Sequence, residues 1–324
     1  MIKDYALLYK PNRYNLFMYY LVFRQDELPI SLLGHRYTMI YSMRLLEGEL
    51  LEYNGVVWVV KGFQHPRGYV IAYPRYNVSH IPYTRIKEYT CLVNTIYWDC
   101  IGLEVPVIPL DKVMPIPKRI YDSVAMEYKS LLANLTGIDL ENIYITGSKA
   151  LGLQDRFSDI DLVIYGKHES DQVYNALVYL RKTGITRSLY GLHLFREHKK
   201  HPDLTLEEYM LLRENSVLQG VYKGYRYSIR LVPFTKGYSG CLRKAEIIGW
   251  YKGTIRIIEA IKPYTTPARY IIELDNGEEA LMETYRIRYT ELPIGFKGYV
   301  VGRIEAYDKK LFIVPDHGFL KPVI

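Results

Sequence analysis

The residues best equipped for chemistry are Gly147-Ser148 and the run Ser158-Asp159-Ile160-Asp161-Leu162, with Lys149 to Ser158 between the two groups. Two aspartates at i and i+2 of a strand point to one face, their Cα atoms about 6.6 Å apart. Carboxylates at that spacing can converge on Mg²⁺ (or Mn²⁺), with two such ions about 3.5–4 Å apart. Glycine lets the backbone turn tightly and approach a phosphate. Ser148 is expected to cap a short helix whose free N–H groups face that phosphate. An anion cradle beside a metal clamp is the minimum equipment for phosphoryl or nucleotidyl transfer. The plainer alternative is a solvated pair of strand-end aspartates beside a glycine in an ordinary turn. The flanking pattern of strand, turn, short helix, loop and strand argues against it.

Several elements must position these groups. The apolar segment Ile143-Tyr144-Ile145 runs into Thr146-Gly147, and the aspartate pair runs into Val163-Ile164-Tyr165. A helix is expected from about Tyr121 to Asn134, with Val124, Met126, Leu131 and Leu132 as its apolar positions, and another near Asp171 to Arg181. Thr205 followed by Glu208 is a capping-box pattern opening a helix to about Asn215. Gly220-Val221-Tyr222, a Lys223-Gly224 turn and Tyr225 to Val232 read as two more strands.

Here the chain resembles the DNA polymerase β-type nucleotidyltransferase superfamily, whose signature is Gly-Ser or Gly-Gly followed at a distance by Asp-apolar-Asp/Glu-apolar. Gly147, Ser148, Asp159, Ile160, Asp161 and Leu162 carry the match, and the resemblance extends from near Tyr121 to Phe234. Lys61-Gly62-Phe63-Gln64-His65-Pro66, Val70-Ile71-Ala72-Tyr73 and Asp161 to Gly166 also look like a group of larger archaeal proteins with such a domain. The resemblance implies metal ligation by Asp159 and Asp161, catalysis by those two residues and Ser148, and phosphate contacts from Gly147 and Ser148. It implies Mg²⁺ as cofactor and an NTP as substrate.

The superfamily normally draws a third carboxylate from a neighbouring strand. The strand in that place, Tyr225 to Val232, has Arg226, Ser228 and Arg230 on its non-apolar face and no acid. Arg230 is expected to hold the triphosphate, since its fork suits phosphate oxygens. Glu197 and Asp203 are acids elsewhere that could substitute.

The flanks read as β structure. Residues 1 to about 46 suggest mixed strand and helix. Asn54-Gly55 between Glu49–Tyr53 and Val56–Val60 demands a type I′ hairpin. His65-Pro66-Arg67-Gly68 makes a second turn into Tyr69–Tyr73. Four prolines between Pro106 and Pro117 suggest an extended linker. After Gly240 come five strand-like runs, Thr254–Ala260, Tyr270–Leu274, Tyr285–Tyr289, Tyr299–Glu305 and Leu311–Val314, suited to a small barrel such as an OB fold. The expected fold class is therefore α+β. A central polymerase β-like nucleotidyltransferase domain (119–238) would be flanked by an N-terminal β-rich module (1–105), a Pro-rich linker (106–118) and a C-terminal OB-like β-barrel (239–324).

Composition bounds the rest. The 324 residues are 49% apolar, enough for packed cores, and 24% charged, which excludes global disorder. A net charge of +7 favours a polyphosphate or nucleic-acid partner. Cys91, Cys100 and Cys241 form no disulfide framework or zinc pattern and read as buried free thiols in a reducing compartment. The apolar run Leu16 to Phe23 is too short to cross a bilayer and lacks a cleavage site, so a cytoplasmic protein without a membrane partner is expected. Thirty-three tyrosines with many Ile, Arg and Lys lean toward a thermophilic source. The basic run Arg196 to His201 reads as a solvated loop ahead of a nucleic-acid contact. His193, His198 and His201 read as surface residues, and Trp58 and the tyrosines as core ahead of base-stacking platforms. The reading is Mg²⁺-dependent transfer of a nucleoside monophosphate from an NTP to a hydroxyl acceptor, RNA or DNA being favoured. The alternatives are a retired core that binds nucleotide or nucleic acid, or transfer to a small molecule or a protein.

Overall fold

Asn54 and Gly55 both take positive φ, 53° and 73°, and close the expected hairpin between β1 (Leu50–Tyr53) and β2 (Val56–Val60). A computed structural model describes residues 43–77, 94–116, 122–155, 157–307 and 310–323. The expectations for residues 1 to 42, including the Leu16 to Phe23 run, and for Cys91 lie outside the described residues. After β3 (Gln64–His65) come β4 (Tyr69–Asn77), β5 (Asn94–Trp98), β6 (Leu103–Pro109) and β7 (Met114–Pro115). They join the hairpin in a sheet of order β5-β6-β4-β2-β1-β7. Trp58 is fully buried and its indole N–H donates to the Tyr53 carbonyl at 3.1 Å, a core role. The expected linker is partly strand: Val105, Val107 and Ile108 are buried among the prolines. Burying three such side chains outweighs the lost N–H groups, and Pro106 faces only the edge strand β5.

The next elements are α1 (Ser123–Thr136), β8 (Ile143–Thr146), α2 (Gly147–Leu151), β9 (Ile160–Tyr165), α3 (Lys167–Lys182), β10 (Thr186–Arg187), α4 (Gly191–His198), α5 (Leu206–Arg213), β11 (Gln219–Tyr222) and β12 (Tyr225–Val232). Their strands make a sheet of order β10-β11-β12-β9-β8, with β12 and β9 parallel and the other pairs antiparallel. Period-2 alternation gives it two unlike faces. Ile143, Ile145, Ile160, Leu162, Ile164, Ile229 and Leu231 form one core with α1 and α3. Tyr144, Thr146, Asp161, Val163, Ser228 and Arg230 take the other face. There Leu46 and Phe63 pack on Val163, Tyr165 and Val232, and the Thr146 hydroxyl donates to the Gly48 carbonyl at 2.7 Å. Residues 46–63 thus cover this face of β9 and reach, through Gly48 and Thr146, the strand level of Asp161.

Two helices differ from expectation. The buried stripe of α1 is Ala125, Tyr128, Leu132 and Ala133, so Val124, Met126 and Leu131 lie at its margins. Asp122 accepts from the Ala125 N–H at 2.8 Å and caps the helix. Arg196 to His198 are not loop but the last turn of α4. The capping box at Thr205 and Glu208 is present.

Beyond β13 (Tyr238–Ser239), which pairs with β3, five strands close a barrel: β14 (Glu246–Lys262), β15 (Ala268–Leu274), β16 (Glu279–Thr284), β17 (Lys297–Tyr307) and β18 (Lys310–Pro322). The order is β14-β15-β16-β18-β17, with β16 and β18 parallel. The run Tyr285–Tyr289 is not a strand. It ends in a 3₁₀ turn, Ile287–Tyr289, and plugs the barrel: the Leu320 N–H donates to the buried Tyr289 hydroxyl at 3.0 Å. The strand itself lies just before, hidden in a Glu-rich sequence of low β propensity.

Cys100 and Cys241 are joined by a disulfide across 141 residues, correcting the expectation of free thiols. No local spacing could reveal it. The fold brings the turn after β5 against the segment entering β14, where the Ala245 N–H donates to the Cys100 carbonyl at 2.8 Å. Among the described residues no helix is long and apolar enough to cross a membrane.

Candidate functional site

Asp161 lies second in β9, between Thr146 of β8 and Ser228 of β12 as cross-strand partners. Asp159 precedes the strand by one residue. Gly147 turns the chain at φ 70°, and a Cβ there would stand 2.5 Å from Asp161 Oδ2. Close approach of backbone to carboxylate, together with positive φ, is why this position needs glycine. Gly147 and Asp161 are therefore brought together as the sequence suggests. Ser148 is buried inside α2, and the residue at the N-cap is Thr146, with no side-chain cap bond. The left-handed turn at Gly147 starts the helix two residues earlier than expected.

A ring of alternating charge surrounds Asp159. Arg226 forms an ion pair with Asp159 and reaches Glu197 Oε2 at 3.1 Å. Lys200 stands 2.7 Å from the same Glu197 oxygen and 3.4 Å from Asp159 Oδ2. Although burial opposes its charge, Glu197 and Asp159 hold the Lys200 ammonium above the usual lysine range. Burial first, and then the Asp159 carboxylate, push the Asp161 carboxyl up to about 6 against the pull of Lys200 and Arg75. Asp161 is thus a crowded acid short of positive charge. Lys149, almost wholly buried, ion-pairs with Asp122 and ties the Gly-Ser turn to the start of α1.

Ser228 is the β12 residue level with Asp161, flanked on its face by Arg226 and Arg230. Among the described residues no group of three or more His, Cys, Asp or Glu is arranged to hold a metal ion. Of the two other acids, Asp203 pairs with Arg288 at 2.9 Å, whereas Glu197 reaches the ring. Arg230 lies opposite Val163, its guanidinium 3.8 Å from Glu47. The arginine that meets the aspartates is Arg226, which the sequence reading passed over. Its signal was the parallel register, which sets Arg226 level with Asp159, and sequence alone does not fix register. His198 Nε2 bonds the Leu204 carbonyl at 2.8 Å and the His201 ring stacks on Tyr209. His193 instead lies within electrostatic reach of Arg226 and Asp159, its pKa lowered by burial first and then by Arg226.

The arrangement offers a partly buried carboxylate pair, a glycine turn seated against one of them, and two cations paired with the other. Residues 129–222 match the family model described as "Nucleotidyltransferase domain". The match is narrower than the Tyr121 to Phe234 stretch and stops short of β12, the strand on which a third acid was sought. No curated protein and no solved structure matches the chain significantly.

Proposed function

We propose, from the match of residues 129–222 to a nucleotidyltransferase-domain model and the polymerase β-like spacing of Gly147-Ser148 and Asp159-Ile160-Asp161, that the chain transfers a nucleoside monophosphate from an NTP to a hydroxyl acceptor, an RNA or DNA end, with Mg²⁺ (or Mn²⁺). The single observation that carries this reading is the seating of Asp161 against Gly147. A metal ligand and a phosphate-approach point are then held within one contact of each other. The donor set fits a divalent cation: two carboxylates on one face, one of them raised in pKa by burial and by the other. Asp159 and Asp161 would hold the metal, which when bound supplies Lewis acidity at the transferring phosphate. Gly147 and Ser148 would hold the β,γ-phosphates through backbone N–H groups and the serine hydroxyl. Arg230, only loosely paired with Glu47, would assist from the neighbouring strand. Arg226 and Lys200 neutralise Asp159 in the free protein. When they turn to substrate phosphates, Glu197 is released to accept the proton of the acceptor hydroxyl. We further propose that the N-terminal sheet and the barrel, whose strand order suits an OB-like module, are separate modules flanking residues 119–238.

A second reading has its own support. Ser228 replaces the strand acid, and cations already occupy Asp159, as in a retired core that binds nucleotide without chemistry. Incubating the protein with each labelled NTP, Mg²⁺ or Mn²⁺, and single-stranded RNA or DNA separates the two. Incorporation that disappears in Asp159→Asn with Asp161→Asn supports transfer. NTP binding without incorporation under every condition supports the retired core.

A further inference from the structure

Lys200 is the link between the aspartates and a second feature. Its ammonium touches Asp159, and its side chain also lines a cavity of about 970 Å³. Three parts of the chain wall this cavity. The N-terminal sheet gives Tyr73 and Trp98, the central layer gives Lys200 and Arg230, and the barrel gives Arg286 and Phe319. Its described lining holds seven lysines and arginines against five carboxylates, interleaved with six aromatic rings.

Among the described residues, Arg288 Nε and Asp316 Oδ2 in the wall are buried and find no hydrogen-bond partner. Arg288 is nine-tenths buried. Its Nη1 is already committed to Asp203, and Asp316 Oδ1 accepts from the Tyr285 N–H. Both atoms lie below the accessible surface, so they belong to the packing of the wall and not to the surface a ligand would meet.

We infer that this cavity seats the acceptor as the unpaired end of a polynucleotide. The lysines and arginines of the wall, each ion-paired with a carboxylate in the free protein, can turn to phosphates, and the aromatic rings between them can stack on bases. The volume is at the upper end for small-molecule sites and holds a few nucleotides of one strand, but not a duplex. A ligand seated there ends beside Lys200, where a terminal hydroxyl faces the aspartate pair. A small acceptor would leave most of the aromatic wall unused. The inference rests on the transferase reading for the word acceptor, while the seat itself is tested by binding alone.

The test is fluorescence anisotropy on the full chain, using an end-labelled short single-stranded RNA, its DNA counterpart and a hairpin duplex. Trp98 emission is followed in parallel, and donor affinity is measured separately by calorimetry with Mg²⁺ and NTP. Tyr73 and Arg286 are about half exposed to the cavity side, so Tyr73→Ala and Arg286→Ala leave the cores intact. Each should weaken single-strand binding by about tenfold, with the duplex bound more weakly than either strand. Single-strand binding equal in wild type and both variants, or duplex bound as tightly as single strand, overturns the proposal. So does transfer onto a small hydroxyl compound with no oligonucleotide binding, which leaves the transferase reading standing. Variant-sensitive strand binding in a protein that neither binds nor incorporates NTP has the opposite sense: the seat stands and the transferase reading falls.

Discussion

A methyl group placed on Gly147 would meet Asp161 Oδ2 at 2.5 Å: the turn and the acid occupy one shared space. Gly147→Ala therefore has to push the carboxylate aside and also strain a backbone held at φ 70°. The strain costs about 1–2 kcal/mol of stability. The displaced ligand should cost far more in function, about 100-fold or greater in nucleotide incorporation. Parallel thermal melts and incorporation assays check it. Activity falling no further than stability would detach the glycine from the chemistry.

The crowded Asp161 makes stability pH-dependent in the metal-free protein. Its folded pKa is raised from 3.8 to about 6, so the folded state holds a proton more tightly than the unfolded chain does. The stability this contributes is complete below about pH 3.8 and is lost as pH rises through 6. Asp161→Asn, which has no charge to bury, should be more stable than wild type at pH 8 in EDTA, by on the order of 1–3 kcal/mol. The gap should shrink toward pH 4, and Mg²⁺ should stabilise wild type alone. Urea titrations at several pH values give the answer, and a gap that widens on acidification contradicts the assignment.

Arg226 is the keystone of the charge ring, nearly buried between Asp159 and Glu197. Arg226→Met leaves the two carboxylates with the half-exposed Lys200 as their remaining shared cation. A loss of about 3–5 kcal/mol is expected for breaking such a pair. Mg²⁺ should restore more of that loss in the variant than it adds to wild type, because a cation now fills a vacated place. Denaturation with and without Mg²⁺ measures both numbers.

The Cys100–Cys241 bond closes a long loop, so its removal frees much unfolded-state entropy. Cys241→Ser should lower stability by about 2–5 kcal/mol. The variant should be indifferent to dithiothreitol, while wild type under reductant should fall to the variant's level. Equal stability of oxidised and reduced wild type would place the bond outside the forces holding the fold.

The sequence was most legible where chemistry is local. The Asn54-Gly55 hairpin needs only two positive φ values, the capping box only Thr205 and Glu208, and the aspartate strand only its alternation. It was least legible where partners are distant. Arg226 was passed over in favour of Arg230 because choosing between them requires the register of a parallel pair formed by strands 60 residues apart in number. Glu197 was read as part of a solvated loop, since its burial depends on Arg226 and Gln219 arriving from other strands. Strand β16 was misplaced by a few residues because closing the barrel overrides the preference of Glu and Met for helix. The disulfide has no sequence signature at all, being a product of how two remote segments meet.

Three walls drawn from far-apart stretches also impose an order in time. A chain emerging from the ribosome presents its aspartate pair more than a hundred residues before the surface that Arg303 and its neighbours contribute. Contacts that span so much sequence form slowly and late. On the proposed reading, a chain that has not yet made that surface carries the carboxylates without the seat beside them, so strand binding waits on the third wall.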